Sequence, residues 1–249
     1  MITAVLFDVD DTLVDYSGAE RVGIARYLRD LGVPPHLVAD GTRVWHEVME
    51  RHFSRYLDGE LDYPGQRRER VRDMLRWLGR TVPGDDPEGI AALDAWFDGY
   101  RQRYETALQA YADVPGCLAA LTGVRVGVVT NNHTDHQRDK LARVGLADRF
   151  ECVIGTDLAG CRKPDPGIFL AGCRALGVSP SQTAYVGDKL DDDARGAAAA
   201  GLVGVWLCRG APDPVSRVTT KVWRITGLAE LPGLIHGWRA SSQAHGSVG

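Results

Sequence analysis

ITAVLFDVDDTL, residues 2–13, decides the fold. Residues 2–7 form a short, mostly apolar run that stops abruptly in acids. A strand buried on both faces of a parallel sheet reads this way. Similar runs return later in the chain. Residues 124–129 end in Thr130-Asn131-Asn132, residues 152–154 in Gly155-Thr156-Asp157, and residues 183–186 in Gly187-Asp188. Residues 202–207 and 222–225 extend the series. Helical patterns lie between them, over 137–144, 166–176 and the Ala-rich 191–200, each closed by a glycine: Gly145, Gly177, Gly201. A glycine just past the last helical residue is a C-cap signal. Strands alternating with short helices predict an α/β fold, a Rossmann-like parallel sheet covered on both faces.

Residues 17–111 read differently. Apolar and aromatic residues recur there at helix spacing, as in Val44, Trp45, Val48, Met49, Phe53 and Tyr56. Pro34-Pro35, Pro64-Gly65 and Pro83-Gly84 divide the stretch into separate helices. The predicted organisation is a catalytic core over 1–16 and 112–240, an inserted helical domain over 17–111, and a flexible tail over 241–249. The aromatic stripe reads as the core of the helical bundle. Asp40-Gly41-Thr42 reads as a turn before a helix, and the run RRERVR at 67–72 as a solvated helix face.

Composition removes several function classes. The chain has 249 residues, 44% hydrophobic and 25% charged, and a net charge of -4, so there is no basic field to attract nucleic acid. No apolar run reaches the roughly 20 residues that a membrane span needs. The N-terminus meets acids by Asp8 and has no basic leader, which argues against a signal peptide. Five cysteines, at 117, 152, 161, 173 and 208, form no C-x-x-C pair. They read as free thiols in a reducing cytoplasm.

In open parallel sheets ligands bind beyond the carboxyl ends of the strands, and the polar residues of this chain gather there. Asp8, Asp10, Asp11 and Thr12 follow the first strand. Thr130 and Asn131 follow the second, a loop brings Lys163, and Asp188 follows a fourth, with Asp191, Asp192 and Asp193 behind it. Residues two apart on an extended segment share a side, so the carboxylates of Asp8 and Asp10 are expected to converge. Close like charges need a proton or a cation. With Asp188 they make an oxygen-rich set suited to Mg²⁺. A carboxylate is also a nucleophile for phosphoryl groups. Lys163 and Thr130 would offset and cradle the phosphate, and Asp10 would act as acid and base.

These segments resemble the haloacid dehalogenase-like hydrolase superfamily. VLFDVDDTL (5–13) is similar to its first motif, D-x-D-x-T, and VGVVTNN (126–132) to its second. CRKPDPGIF (161–169) is similar to the third and YVGDKLDDDARGA (185–197) to the fourth, all in the family's order. The resemblance implies a phosphatase with a helical, C1-type cap. It implies Asp8 as nucleophile and metal ligand. It implies Asp10 as acid/base, bound to Mg²⁺ through its main-chain carbonyl, and Asp188 as third metal contact. Thr130, Asn131 and Lys163 are implied as phosphate binders, and Asp193 as the group that holds Lys163 or a metal-bound water. The chain departs from many relatives by carrying Asn132 in place of glycine. Asp11 reads as a turn acid, Arg162 as structural, and His133 and His136 as solvated residues at a helix start.

Three chemistries compete within that resemblance. Haloacid dehalogenases place a non-acidic residue where this chain has Asp10, because an alkyl halide needs no protonated leaving oxygen. The phosphonate-cleaving branch uses a cap lysine, and the lysines here, 140, 163, 189 and 221, all lie outside 17–111. A phosphomutase of the β-phosphoglucomutase type stays open as an alternative, as does an inactive binding module, against which the intact acids argue. The expected function is Mg²⁺-dependent hydrolysis of a small phosphorylated metabolite, such as a sugar phosphate or nucleotide, through an aspartyl-phosphate. The protein is expected as a monomer or homodimer, with no nucleic-acid or membrane partner.

Overall fold

The computed structural model describes residues 1–209 and 216–244. The elements run β1 (Ala4–Phe7), α1 (Tyr16–Asp30), α2 (Pro35–Leu57), α3 (Tyr63–Trp77), α4 (Pro87–Glu105), α5 (Val114–Ala120), β2 (Arg125–Val129), α6 (Thr134–Arg143), β3 (Val153–Ile154), α7 (Thr156–Ala159), α8 (Pro166–Ala175), β4 (Thr183–Gly187), α9 (Gly196–Ala199), β5 (Val203–Leu207), β6 (Ser216–Arg217), β7 (Val222–Ile225) and α10 (Leu231–Ala244). A single π-helical turn, Leu190–Arg195, joins β4 to α9. The chain divides into two compact units, one of Met1–Asp15 with the chain from Gln109 on, the other of Tyr16–Leu108.

In the first unit, the described residues form a seven-stranded sheet in the order β3-β2-β1-β4-β5-β7-β6. All neighbouring pairs are parallel except β6 on β7. β1 is third in that order, between β2 and β4, with Phe7 level with Val128 of β2 and Val186 of β4. β1 is buried throughout, because helices cover both faces of a parallel sheet. Chain order leaves β1 for β2 and β3 on one side, then crosses back to β4 on the other. That reversal is the topological switch point, where a crevice opens at the strand ends. Beneath it Leu6, Val129, Ile168, Phe169, Tyr185 and Leu202 pack as one buried cluster. The predicted C-cap glycines all adopt the left-handed conformation, with φ of 75° at Gly145, 60° at Gly177 and 90° at Gly201.

The second unit is four helices around Trp45, whose ring lies 4.6 Å from Tyr100 and 5.4 Å from Trp96. The sequence expectation needs three corrections here. Asp40-Gly41-Thr42 is no turn but lies inside α2. Gly41 is tolerated there because a Cβ would lie 2.7 Å from Leu28 Cδ1, so its absence lets α1 and α2 pack closely. The buried stripe of α2 runs through Trp45, Val48, Met49 and His52, while Phe53 and Tyr56 are only half-buried. The arginine run of α3 is not a solvated face. Arg70 is buried, Arg68 forms a forked pair with Asp94, and Arg67 lies over the Tyr63 and Phe97 rings. Guanidinium groups stack and fork in ways that a charge count does not register.

At the C-terminus the expected tail begins too early. α10 continues to Ala244, since residues 239–244 contain good helix formers and no glycine or proline. The remainder of that expected tail, 245–249, lies outside the described residues. Among the described residues no helix is long and apolar enough to cross a membrane.

The π-helical turn rests on β5 because Gly204 lacks a side chain. A Cβ there would lie 2.0 Å from the Ala194 carbonyl oxygen, a contact that only backbone movement relieves. Gly204→Ala is therefore expected to cost about 2 kcal/mol or more. Urea unfolding checks this. A midpoint equal to that of the parent would refute the close approach.

Candidate active site

Three neighbouring strands end together at the switch point. β1 hands over to Asp8, β2 to Thr130 and β4 to Asp188. Asp8 is fixed there because its N–H continues the ladder to the Val186 carbonyl at 2.8 Å. Thr130 is fixed likewise by its N–H to the Ile154 carbonyl at 3.0 Å. The carboxylates of Asp8, Asp188 and Asp193 lie within 4.8 Å of one another.

Lys163 enters this cluster from the loop before α8. Its Nζ donates to Asp8 Oδ1 at 2.7 Å, Asp193 Oδ1 at 2.7 Å and the Tyr185 hydroxyl at 2.9 Å. Those contacts use all three ammonium protons. Tyr185 shares its own proton between the Val129 carbonyl at 3.0 Å and Asp193 Oδ1 at 3.1 Å. Asp193 Oδ2 accepts from the Lys189 N–H at 2.9 Å. Asp193 is thus committed on both oxygens. Of the three consecutive acids, Asp193 is the one at Lys163, while Asp191 pairs with Arg195 on the surface. Gly187 makes room for it, since a Cβ there would lie 2.3 Å from Asp193 Oδ2.

Asn131 reaches the site as a splint. Its Oδ1 accepts from the Lys163 N–H at 2.6 Å and its Nδ2 donates to the Lys163 carbonyl at 3.2 Å. The amide side chain therefore ties the lysine-bearing loop to the end of β2. Asn132 Oδ1 turns to the His133 N–H at 2.9 Å. Asp11 has φ of 58° and occupies a turn, as expected for it.

Asp10 does not join the three carboxylates. β1 stops at Phe7, and residues 9–14 coil into a tight loop in which Leu13 and Val14 both donate to the Val9 carbonyl. The strand alternation on which convergence rested has ended by Asp10. Its carboxylate turns to α6, where Gln137 Nε2 donates to Oδ2 at 2.8 Å and Lys140 pairs with Oδ1. Gln137, Lys140 and Tyr185 were missed in the sequence. Gln137 and Lys140 carried one usable signal, their spacing of three on the helix that follows Thr130. Tyr185 gave none, because a tyrosine inside a buried strand reads as core.

The electrostatics follow from burial. Asp8 is pushed up to about 7, by desolvation first; Lys163 opposes this, while Asp193 and Asp10 add to it. Asp188 is pushed up to about 8, by desolvation and then by the charges of Asp8 and Asp193. Burial opposes the charge on Lys163, but Asp193 and Asp8 outweigh it and hold the ammonium well above its usual range. One ammonium cannot offset three ionised acids, so without a cation Asp8 and Asp188 hold on to protons. An all-oxygen set with surplus negative charge fits a hard divalent cation such as Mg²⁺.

The family model for haloacid dehalogenase-like hydrolases matches residues 2–201. This chain belongs to that family. It is 34% identical over 212 residues to a glyceraldehyde 3-phosphate phosphatase of Methanopyrus kandleri, covering 84% of this chain and 85% of that one. A phosphoserine phosphatase of Thermus thermophilus is 31% identical, covering 82% and 88%. The L-2-haloacid dehalogenase of Xanthobacter autotrophicus superposes with a TM-score of 0.71 at 25% identity, covering 95% and 99%. One haloacid dehalogenase-like fold thus accommodates different reactions, and the site must choose among them.

The raised carboxyls give a pH test. In chelator the folded protein keeps protons on Asp8 and Asp188 up to about pH 7 and about pH 8, whereas the unfolded chain releases them near 3.8. The folded state binds more protons in that interval, so stability falls as the pH rises through it. The depressed carboxyls of Asp73, Asp94, Asp113 and Asp157 titrate below it. We expect the Tm in chelator to fall from pH 5.5 to 8, the slope to flatten in Asp188→Asn, and Mg²⁺ to raise the Tm most at pH 8. A Tm that climbs over this interval in chelator would refute the protons held on Asp8 and Asp188.

Proposed function

We propose that this chain is a phosphomonoesterase that hydrolyses a small phosphorylated metabolite, with Asp8 as nucleophile and Asp10 as acid/base. The observation that carries this reading is the second carboxylate, Asp10, two residues beyond Asp8 and tied through Gln137 to Thr130. Dehalogenation of an alkyl halide has no use for an acid at that position. Cleavage of a P–O bond does, because the departing alkoxide must be protonated.

Asp8 Oδ attacks phosphorus, the bond to the leaving oxygen breaks, and Asp10 gives that oxygen its proton. A water oxygen then attacks the phosphorus of the aspartyl-phosphate, Asp10 takes the proton of that water, and Asp8 departs as carboxylate with inorganic phosphate released. Lys163 offsets phosphate charge as the carboxylate approaches, while the Thr130 hydroxyl and the main chain at Asn131 hold the equatorial oxygens. Asp193 keeps Lys163 aimed at Asp8. A Mg²⁺ ion held by Asp8, Asp188 and the Asp10 main-chain carbonyl would supply further neutralisation of phosphate charge.

Relatives named glyceraldehyde 3-phosphate phosphatase, phosphoserine phosphatase and N-acylneuraminate-9-phosphatase support a small phosphorylated metabolite as substrate. Five free thiols suit a reducing compartment, and we place the protein in the cytoplasm.

Phosphate release from p-nitrophenyl phosphate and from phosphorylated three-carbon and sugar compounds tests the proposal. Activity is expected with Mg²⁺ and to be lost in chelator. Asp8→Asn is expected to remove turnover, and Asp10→Asn to lower it by about 10²–10⁴-fold. An Asp10→Asn enzyme within about twofold of the parent contradicts the acid/base role. Labelled phosphate that stays on a bisphosphorylated sugar, rather than entering solution, would identify a mutase instead.

A further inference from the structure

Helix α6 starts just beyond the phosphate-facing end of β2. Gln137 and Lys140 lie three residues apart on it and so share a face. Both are buried, Gln137 fully, although side chains of these types are mostly exposed in folded proteins. What they face is Asp10. Gln137 Nε2 donates to Asp10 Oδ2 at 2.8 Å and Lys140 Nζ donates to Oδ1. Two different residues hold the two oxygens, which fixes the plane of the carboxylate as well as its position. The Asp10 side chain stays 28% exposed against 9% for Lys140, so the carboxylate keeps an open flank.

Gln137 Nε2 also donates to Thr130 Oγ1 at 3.2 Å, and the Asn132 N–H donates to the same oxygen at 3.3 Å. A hydroxyl has two acceptor positions and one proton. With both acceptor positions filled, the proton of Thr130 is left to donate, which is the role a phosphoryl oxygen needs. The amide of Gln137 has a determined orientation, since turning it over would set its oxygen against the Asp10 carboxylate. Held this way, Gln137 Oε1 is buried without a hydrogen-bond partner. An unsatisfied buried acceptor is costly. Gln137 therefore bears a local penalty while bridging the acid/base and the phosphate-binding hydroxyl.

We propose that Gln137 and Lys140 are positioning residues, which hold the Asp10 carboxylate for proton transfer and turn the Thr130 hydroxyl proton toward the substrate phosphate. The inference rests on the acid/base reading of Asp10. It deepens that reading by assigning α6 the task of orientation.

The test measures kcat/KM, which reports every step through leaving-group departure. It compares p-nitrophenyl phosphate, whose leaving group needs little protonation, with an alkyl monoester such as glycerol 3-phosphate. Lys140→Met is expected to lose about 10-fold or more on the alkyl ester and under about threefold on the aryl ester. Lys140→Arg is expected to restore most of the loss. In an Asp10→Asn background, Lys140→Met should add no more than about twofold, because both changes act through one group. Gln137→Met is expected to weaken competitive inhibition by inorganic phosphate as well, through Thr130, whereas Lys140→Met leaves that inhibition near its parent value.

Equal losses on both esters, or full additivity with Asp10→Asn, would overturn the proposal. An Asp10→Asn enzyme that itself shows no preference between the esters would sink the acid/base reading instead, and the two failures are told apart by that one variant. Lys140→Gln, shorter and uncharged but still a donor, is measured alongside. If Lys140→Met does not fold, Lys140→Gln carries the same comparison.

Discussion

Lys163 holds its ammonium 2.7 Å from Asp8 and 2.7 Å from Asp193, in a place almost closed to water. A buried charge is tolerated only when it is paired and hydrogen-bonded, and each proton of this one has a partner. The rest of the site is arranged around that requirement. Asp193 needs the π-helical turn, the turn needs the bare backbone of Gly204, and the final approach of the carboxylate needs Gly187. Tyr185 lends a hydroxyl from inside the sheet. Asn131 grips the lysine's peptide groups from the end of β2. The same ammonium leaves Asp8 and Asp188 short of positive charge, which is the opening that a divalent ion and a phosphoryl group fit.

The contacts of Lys163 with Asp8 and Asp193, and of Asp10 with Lys140, join segments distant along the chain. Lys163 and Asp8 are 155 residues apart, and Asp10 and Lys140 are 130 apart. None of these groups is brought near another by its own element. The parallel sheet does it, by ending β1, β2 and β4 at one level, so the chemistry exists only in the assembled unit. Preorganisation of this kind lets dipoles and charges meet a developing charge without rearranging at the moment of reaction.

Much of this was legible in the sequence, for physical reasons. Apolar runs that stop in acids mark strand ends. Acids, Thr130 and Lys163 at such ends mark a ligand crevice, and glycines mark where helices close. The continuous helix through Gly41 and the burial of Arg70 were not legible, because packing overrode local signals in both cases. Asp10 was assigned its place by strand alternation, and alternation fails once the strand stops. β6 carries too few residues to show a period at all. Gln137 and Lys140 escaped because glutamine and lysine on a polar helix look like a surface. Their face is turned inward onto Asp10 only once the chain is folded.

The sheet also ends in an unusual pair of rims. β3 on one side and β6 on the other are each two residues long, and β6 runs against its neighbour. A long open border would offer unpaired amide and carbonyl groups to any passing extended chain. Borders this brief present almost no ladder to copy. The described part of the sheet therefore gives a second copy little edge along which to pair.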